Sequence, residues 1–254
     1  MTLTDIVRRN YSIPLLLLLW ELGAMSGLVT SRLLPAPSSI LVAFFADVGN
    51  GTLLAHAWTT TWRSVAGFLV GSTAGVVVGV LMARTKVFRL IMEPMVFLGY
   101  PVPKIALFPI FTFIFGFGAM SKVAFISLEC FYPVVVTTYF GVKGINTRLI
   151  WTATNFGAGY GEIMRRVVLP AALPSIMSGL RIALPIAIIV AVLTEMIGDS
   201  AGLGHYISIS ATRFRFANIY AGILMVGLCG WALDTLLAQV QRRRLAWRGA
   251  EARF

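Results

Sequence analysis

The chain has little charge and almost none of the side-chain chemistry that soluble enzymes use. Only 12% of its 254 residues are charged, where a soluble domain averages about 25%, while 58% are hydrophobic and the mean hydropathy is +0.85. A buried core in a soluble domain does not account for that balance; a polytopic membrane protein does. The two cysteines, Cys130 and Cys229, both sit inside apolar runs. They read as small buried hydrophobes rather than as a disulfide or a thiolate metal site. The two histidines, His56 and His205, stand apart from any Cys/His cluster, so no metal site is indicated. A nucleophile elbow, a Walker A sequence and a dinucleotide fingerprint are all missing. No catalytic residue and no cofactor held by this chain is therefore expected. Acidic residues are scarce, 10 against 21 Lys and Arg, for a net charge of +11. The basic excess is scattered, which excludes a nucleic-acid-binding patch.

What the chain has instead is a series of long apolar runs. Six membrane spans are expected, at about 13–29, 65–83, 95–115, 123–140, 176–197 and 219–240, making residues 1–254 one all-α transmembrane domain. The first follows Arg8 and Arg9 and is interrupted by Glu21. A signal peptide is the competing reading there, but no small-x-small cleavage site follows and more spans do. Leu34 to Ser39 reads as a turn with helix-capping serines. Ile40 to Val48 reads as an amphipathic surface helix with Leu41, Phe44, Phe45 and Val48 on one face. Thr52 to Arg63 forms a second polar-faced helix leading into the next span. In that span Gly67, Gly71, Gly75 and Gly79 repeat at intervals of four, a stripe that lets another helix approach closely.

The third run is unlike the others because it carries Pro101, Pro103, Pro109 and Lys104. Each proline removes a helix hydrogen bond, so a kink or break is expected near 100–104. Broken backbone at membrane depth is tolerated only where it lines a cavity or is buried in protein.

Positive charge orients the spans. Arg84, Lys86 and Arg89 mark one loop, Lys143 to Arg166 another, and Arg242 to Arg244 with Arg248 the tail. Counting also Arg8, Arg9, Arg181 and Arg253, 15 of the 21 basic residues fall on one side, the cytoplasmic side by the positive-inside rule. Both termini and the stretch 151–170 are then cytoplasmic. Gly198 to Asn218 becomes an outer loop rich in Gly and Ser.

The stretch Trp151 to Pro170, WTATNFGAGYGEIMRRVVLP, is the longest polar interruption of the apolar pattern. Buried in hydrocarbon its backbone and charges would cost several kcal/mol per unsatisfied group, so it lies in water or against a partner. Gly157, nine residues, then Val167-x-Leu169-Pro170 resembles the cytoplasmic EAA loop of permease subunits of bacterial ABC importers. Trp151, Thr152 and Ala153 stand where that family has Glu, Ala and Ala, so only the second Ala is kept, and Val167 replaces Ile. Pro101-Val-Pro103-Lys104-Ile-Ala-Leu-Phe-Pro109, followed by Phe115-Gly-Phe-Gly118 and Ser121-Lys122, resembles the signature of the nitrate/sulfonate/taurine group of these permeases. Glu195 followed by Gly202-Leu203-Gly204 resembles the same group.

The resemblance implies a type I importer permease fold in the bacterial inner membrane. Its loop, with Ala153, Gly157, Ala158, Glu162, Arg165, Leu169 and Pro170, would form a coupling helix docking on an ATPase subunit. ATP and Mg would bind that partner, not this chain. Two ATPase subunits, a second permease copy and a periplasmic or lipid-anchored solute-binding protein complete the implied assembly. No internal repeat is evident, which favours a homodimer. The solute implied is a small anion such as a sulfonate, taurine or nitrate; an aromatic carboxylate, a pyrimidine precursor or an amino acid is the alternative.

Intramembrane ionisable groups cost roughly 2.5–3.5 kcal/mol each at a helix centre, which draws attention to Lys104, Glu129 and Glu195. Lys104, Tyr100, Ser127, Glu129, Thr194 and Glu195 are the candidates for the translocation path. Packing is the competing role for each, through an interhelical hydrogen bond or ion pair. An ion-coupled secondary transporter would need its own ion sites and usually an internal repeat. A membrane enzyme would need a clustered catalytic set, which is missing here.

Overall fold

The computed structural model describes residues 11–26 and 33–245, and every regular element among them is helical. In chain order these are α1 (Ser12–Met25), α2 (Pro37–Gly49), α3 (Thr52–Arg84), α4 (Lys86–Gly99), a 3₁₀ turn (Lys104–Leu107), α5 (Phe108–Phe115), α6 (Ala119–Lys143), α7 (Thr147–Asn155), α8 (Tyr160–Met196), α9 (Leu203–Thr212) and α10 (Phe216–Arg244). Arg8, Arg9, Arg32 and Arg248 lie outside the described residues. The chain divides into two compact units, residues 1–59 with 195–227, and residues 60–194 with 228–254.

Four helices are long and apolar enough to cross a membrane: α3, α6, α8 and α10. A fifth span is available if α4 and the segment Lys104–Phe115 count as one, although they meet at 99°. The expected count of six is not reached among the described residues. Among the described residues the expected first span, 13–29, is represented by α1, whose 14 residues rise about 21 Å against a hydrocarbon core of about 30 Å; residues 27–29 of that expectation lie outside them. The third run also differs from a span over 95–115. Helix begins at Lys86, where a loop was expected, and stops at Gly99. The prolines then break it, as their chemistry requires.

The second unit is built on close backbone contact. The glycine stripe of α3 lies along α6. A Cβ placed at Gly67 would meet Ile126, one at Gly71 the backbone of Ser127, one at Gly75 Val134 and the Phe131 carbonyl, and one at Gly79 Thr138. Gly179 of α8 meets Thr137 in the same way. Around these contacts Phe68, Phe108, Phe125, Ile126, Cys130, Val134, Leu184 and Val190 form the main apolar core. Cys130 is a buried hydrophobe there, as expected; Cys229 is half-buried and likewise free.

The first unit is pinned by polar contacts between short helices. Glu21 of α1 accepts from the backbone N–H of Ser38 (3.0 Å) and from its hydroxyl (2.6 Å). Its carboxylate thus sits at the N-terminus of α2, where the helix dipole favours an anion. The expected capping serines are one step inside the helix: Ala36 is the N-cap and Pro37 takes the first turn, where its missing N–H costs nothing. Ile40 and Phe44 of α2 are buried within the protein, while Leu41 and Phe45 of the apolar face are exposed. Asp47, one turn on, accepts from Tyr206 of α9 (2.5 Å), Asn218 of α10 (2.8 Å) and Asn50 (3.1 Å). The outer loop expected over 198–218 therefore contains a helix, α9, held by a carboxylate 159 residues away.

Candidate functional site

Three places carry the residues singled out by sequence. The first is the polar stretch at 151–170. Asn146 caps α7 by accepting from the Arg148 N–H at 3.0 Å. The helix ends in a Schellman arrangement: Gly157 N–H donates to the Thr154 carbonyl (2.9 Å) and Ala158 N–H to the Ala153 carbonyl (3.1 Å). That ending needs a left-handed residue, and Gly157 has φ +81°. Ala153 and Ala158 turn inward onto a small core of Val142, Ile163, Val168, Ala172 and Ile176. Glu162 and Arg165 are exposed, and Glu162 pairs with Arg166 at 3.0 Å on the same helix.

The short helix is thus Thr147–Asn155, displaced toward the N-terminus from the coupling segment expected over 151–170. Leu169-Pro170 does not close the stretch, because helix runs unbroken from Tyr160 to Met196. A π-turn at Met164–Val168 makes this possible. Pro170 cannot donate to the carbonyl four residues back and its ring crowds it; a wider turn just before it relieves both problems. Between α7 and α8 lies a cavity of about 630 Å³ lined by Leu149, Thr152, Ala153, Phe156, Arg166, Val167, Pro170 and Ala171. Of its lining, Leu149 is exposed and Phe156 is 87% exposed; Trp151 and Tyr160, in the same stretch of chain, are exposed as well.

The second place is the break in the third run. Lys104, Tyr100 and Glu129 come together there. Lys104 Nζ donates to the Tyr100 carbonyl (3.1 Å) and the Val102 carbonyl (3.3 Å), lies 3.8 Å from Glu129 Oε2, and stands 4.6 Å from the centre of the Tyr132 ring. Ser127 and Thr194 are bonded within their own helices instead. Ser127 Oγ donates to the Val123 carbonyl (2.7 Å) and Thr194 Oγ1 to the Val190 carbonyl (2.8 Å).

The third is Glu195. Its side chain is 1% exposed and accepts from the Gly204 N–H at 3.2 Å. That oxygen thereby caps the N-terminus of α9. Gly202 has φ +105° and donates its N–H to His56 Nδ1 (3.0 Å).

A family model described as "Binding-protein-dependent transport system inner membrane component" matches residues 71–244. The chain belongs to that family. It is a transport subunit, a permease of the ABC importer type, and not an enzyme. Among its relatives is a putative aliphatic sulfonates transport permease protein of Bacillus subtilis, 31% identical over 91% of this chain and 84% of the relative. The taurine transport system permease protein of Escherichia coli is 30% identical over 94% of this chain and 88% of its own length. Among solved structures, the inward-facing methionine ABC transporter MetNI shares the fold, with TM-score 0.67 over 76% of this chain and 95% of that one, at 19% identity.

Two groups of residues in this permease were not named from sequence. Leu149, Phe156 and Tyr160, all exposed, stood in a charged loop, and aromatic residues among charges were the available signal. Asp47, Tyr206 and Asn218 gave none, being single polar residues far apart in the chain. Burial raises the Asp47 carboxyl, but hydrogen bonds from Tyr206, Asn50 and Asn218 and the charge of Arg215 outweigh it, so Asp47 titrates below its ordinary value. Burial and the Asp47 hydrogen bond push the Tyr206 phenol up to about 12.

Proposed function

We propose that this permease carries a small anionic solute, of the sulfonate or taurine kind, across the bacterial inner membrane in an ATP-driven importer. The observation that carries this reading is the surface formed by α7 and the start of α8. It exposes Trp151, Phe156 and Tyr160, holds an apolar cavity lined by Leu149, Phe156 and Val167, and has Gly157 at the turn with open space where its Cβ would be. An exposed apolar patch of this kind marks a site of protein contact. The contact we assign it is an ATPase subunit, one on each of two permease copies. The loop would lie in the cytoplasm with both termini. A solute-binding protein would deliver from the other side.

The solute class rests on the relatives named for sulfonates and taurine. Closure of the ATPase pair on ATP would pull the two loops together and tilt the spans between inward- and outward-facing states, an equilibrium set by differential contacts in each. The break at Tyr100, Lys104 and Glu129 lies beside the path in this scheme. Uptake of labelled taurine and alkanesulfonates by cells lacking their own permease, with and without this chain, its ATPase and its binding protein, tests the reading. ATP-dependent accumulation is expected. Accumulation driven by a proton or sodium gradient without ATP would refute it.

A further inference from the structure

The half-helix α5 is flanked by two irregular turns, one before it at Pro101 to Pro103 and one after it at Gly116 to Gly118. Before it, Pro101 and Pro103 supply no N–H, and the last carbonyls of α4 have no helical partner. After it, Gly116 turns the chain with φ +77°. At each turn a lysine ammonium takes the free carbonyls. Lys104 Nζ holds those of Tyr100 and Val102; Lys122 Nζ holds those of Phe117 (2.8 Å) and Gly118 (3.4 Å). Lys104 is 9% and Lys122 1% exposed. Burying an ammonium in apolar surroundings is costly, so both positions demand a return in fixed geometry.

The return is visible on α6. Lys122, Phe125, Glu129 and Tyr132 are spaced by three, four and three residues, one face of a helix. Every one of them meets α5 or its turns. Lys122 holds the outgoing turn. The Phe125 ring contacts Phe108 and Phe111 edge-on, at 5.4 and 5.2 Å between centres. Glu129 and Tyr132 hold Lys104 at the incoming turn. An ammonium has three N–H donors. Two carbonyls take two of them at Lys104, and the Glu129 carboxyl lies 3.8 Å away as its ion-pair partner.

We infer that Lys104 and Lys122 are positioning residues that fasten the half-helix α5 to α6 at both ends, so that the two move as one body during transport. Lys104 is on this account not the ligand of the solute's anionic group. The inference rests on the transport function proposed above.

The test uses the assembled transporter in lipid vesicles, with taurine or the sulfonate that supports uptake. Phe111→Cys and Phe125→Cys are introduced together, with Cys130→Ala and Cys229→Ala, and joined by a short reducible thiol crosslinker. Uptake within about twofold of the uncrosslinked protein is expected, since no motion separates the two helices. Loss of uptake that reduction restores would overturn the inference. In the native-cysteine background, Lys104→Met and Lys122→Met are each expected to lower the maximal rate about tenfold while the half-saturating solute concentration stays within about twofold. A tenfold rise in that concentration for Lys104→Met at an unchanged maximal rate would make Lys104 a solute ligand and overturn it. If either variant fails to fold, the crosslinked pair decides. Absence of ATP-dependent uptake by the unmodified protein would instead strike the transport reading.

Discussion

The carboxylate of Glu195 occupies the space that a side chain at Gly202 would need. Gly202 also has a left-handed φ of +105°. The two residues thus specify each other: the acid caps α9 through the Gly204 N–H, and the glycine lets the backbone come close enough for it to do so. Gly202→Ala is expected to lower thermal stability in detergent more than Glu195→Gln, which keeps an acceptor oxygen. Glu195→Ala removes that acceptor from a buried N–H, worth about 1–3 kcal/mol. A thermal unfolding series on the three variants checks the order, and a Gly202→Ala protein as stable as the parent would contradict it.

Gly157 separates backbone strain from partner contact. Its φ of +81° penalises alanine by about 1 kcal/mol, and asparagine, which tolerates the left-handed region, by less. The Cβ of either points into open space. Gly157→Asn is expected to insert and to transport. Gly157→Glu is expected to insert normally and yet to uncouple ATP hydrolysis from uptake, because it projects into the proposed ATPase contact. Membrane yield, ATPase rate and uptake measured side by side check this; normal uptake by the glutamate variant would remove the coupling role.

The α3 stripe gives a graded packing prediction. A methyl group at Gly71 would run into the Ser127 backbone, which cannot step aside as a side chain can. Gly71→Ala is expected to cost about 1–3 kcal/mol and Gly71→Val more. At Gly230 the nearest atom to an added Cβ is Ile188 Cδ1 at 3.6 Å, ordinary contact, so Gly230→Ala serves as the neutral control. Thermal melts of the three variants decide.

Acid should loosen the contact among α2, α9 and α10. The Asp47 carboxyl titrates below its ordinary value in the folded chain. A depressed carboxyl contributes stability that is present above its unfolded pKa, about 4, and is lost as pH falls through the folded one. Stability of the parent should therefore drop below about pH 4, and Asp47→Asn should be less stable at neutral pH but flatter over that range. Melting temperature against pH for both proteins measures it; parallel curves would contradict the assignment.

Much of the fold was legible because it rests on strong local rules. The glycine stripe announced a close helix contact, and Pro101 and Pro103 announced the break. Other features depend on partners that sequence does not reveal. Pro170 looked like the end of the polar stretch, but a π-turn absorbs it. Asp47 of α2 gave no signal in sequence, because its partners Tyr206 and Asn218 lie 159 and 171 residues away. Lys104 and Glu129 were noticed for their cost in the membrane. Their pairing, and the carbonyls that Lys104 holds, follow only from how the broken run folds back on α6. The resemblance of 151–170 to a coupling loop rests on Gly157 and its spacing to Leu169-Pro170, not on the residues at 151–153, while the helix before Gly157 begins at Thr147.

On the function proposed above, this chain couples solute entry to a partner's ATP hydrolysis through the loop from α7 to α8. The most direct measurement is ATPase activity of the chain in lipid with its co-expressed ATPase, with and without solute-loaded binding protein. A stable complex stimulated several-fold by the loaded binding protein alone is expected, and a complex lost or no longer stimulated in Gly157→Glu. A chain that holds no ATPase subunit, and moves solute down an ion gradient by itself, would contradict it.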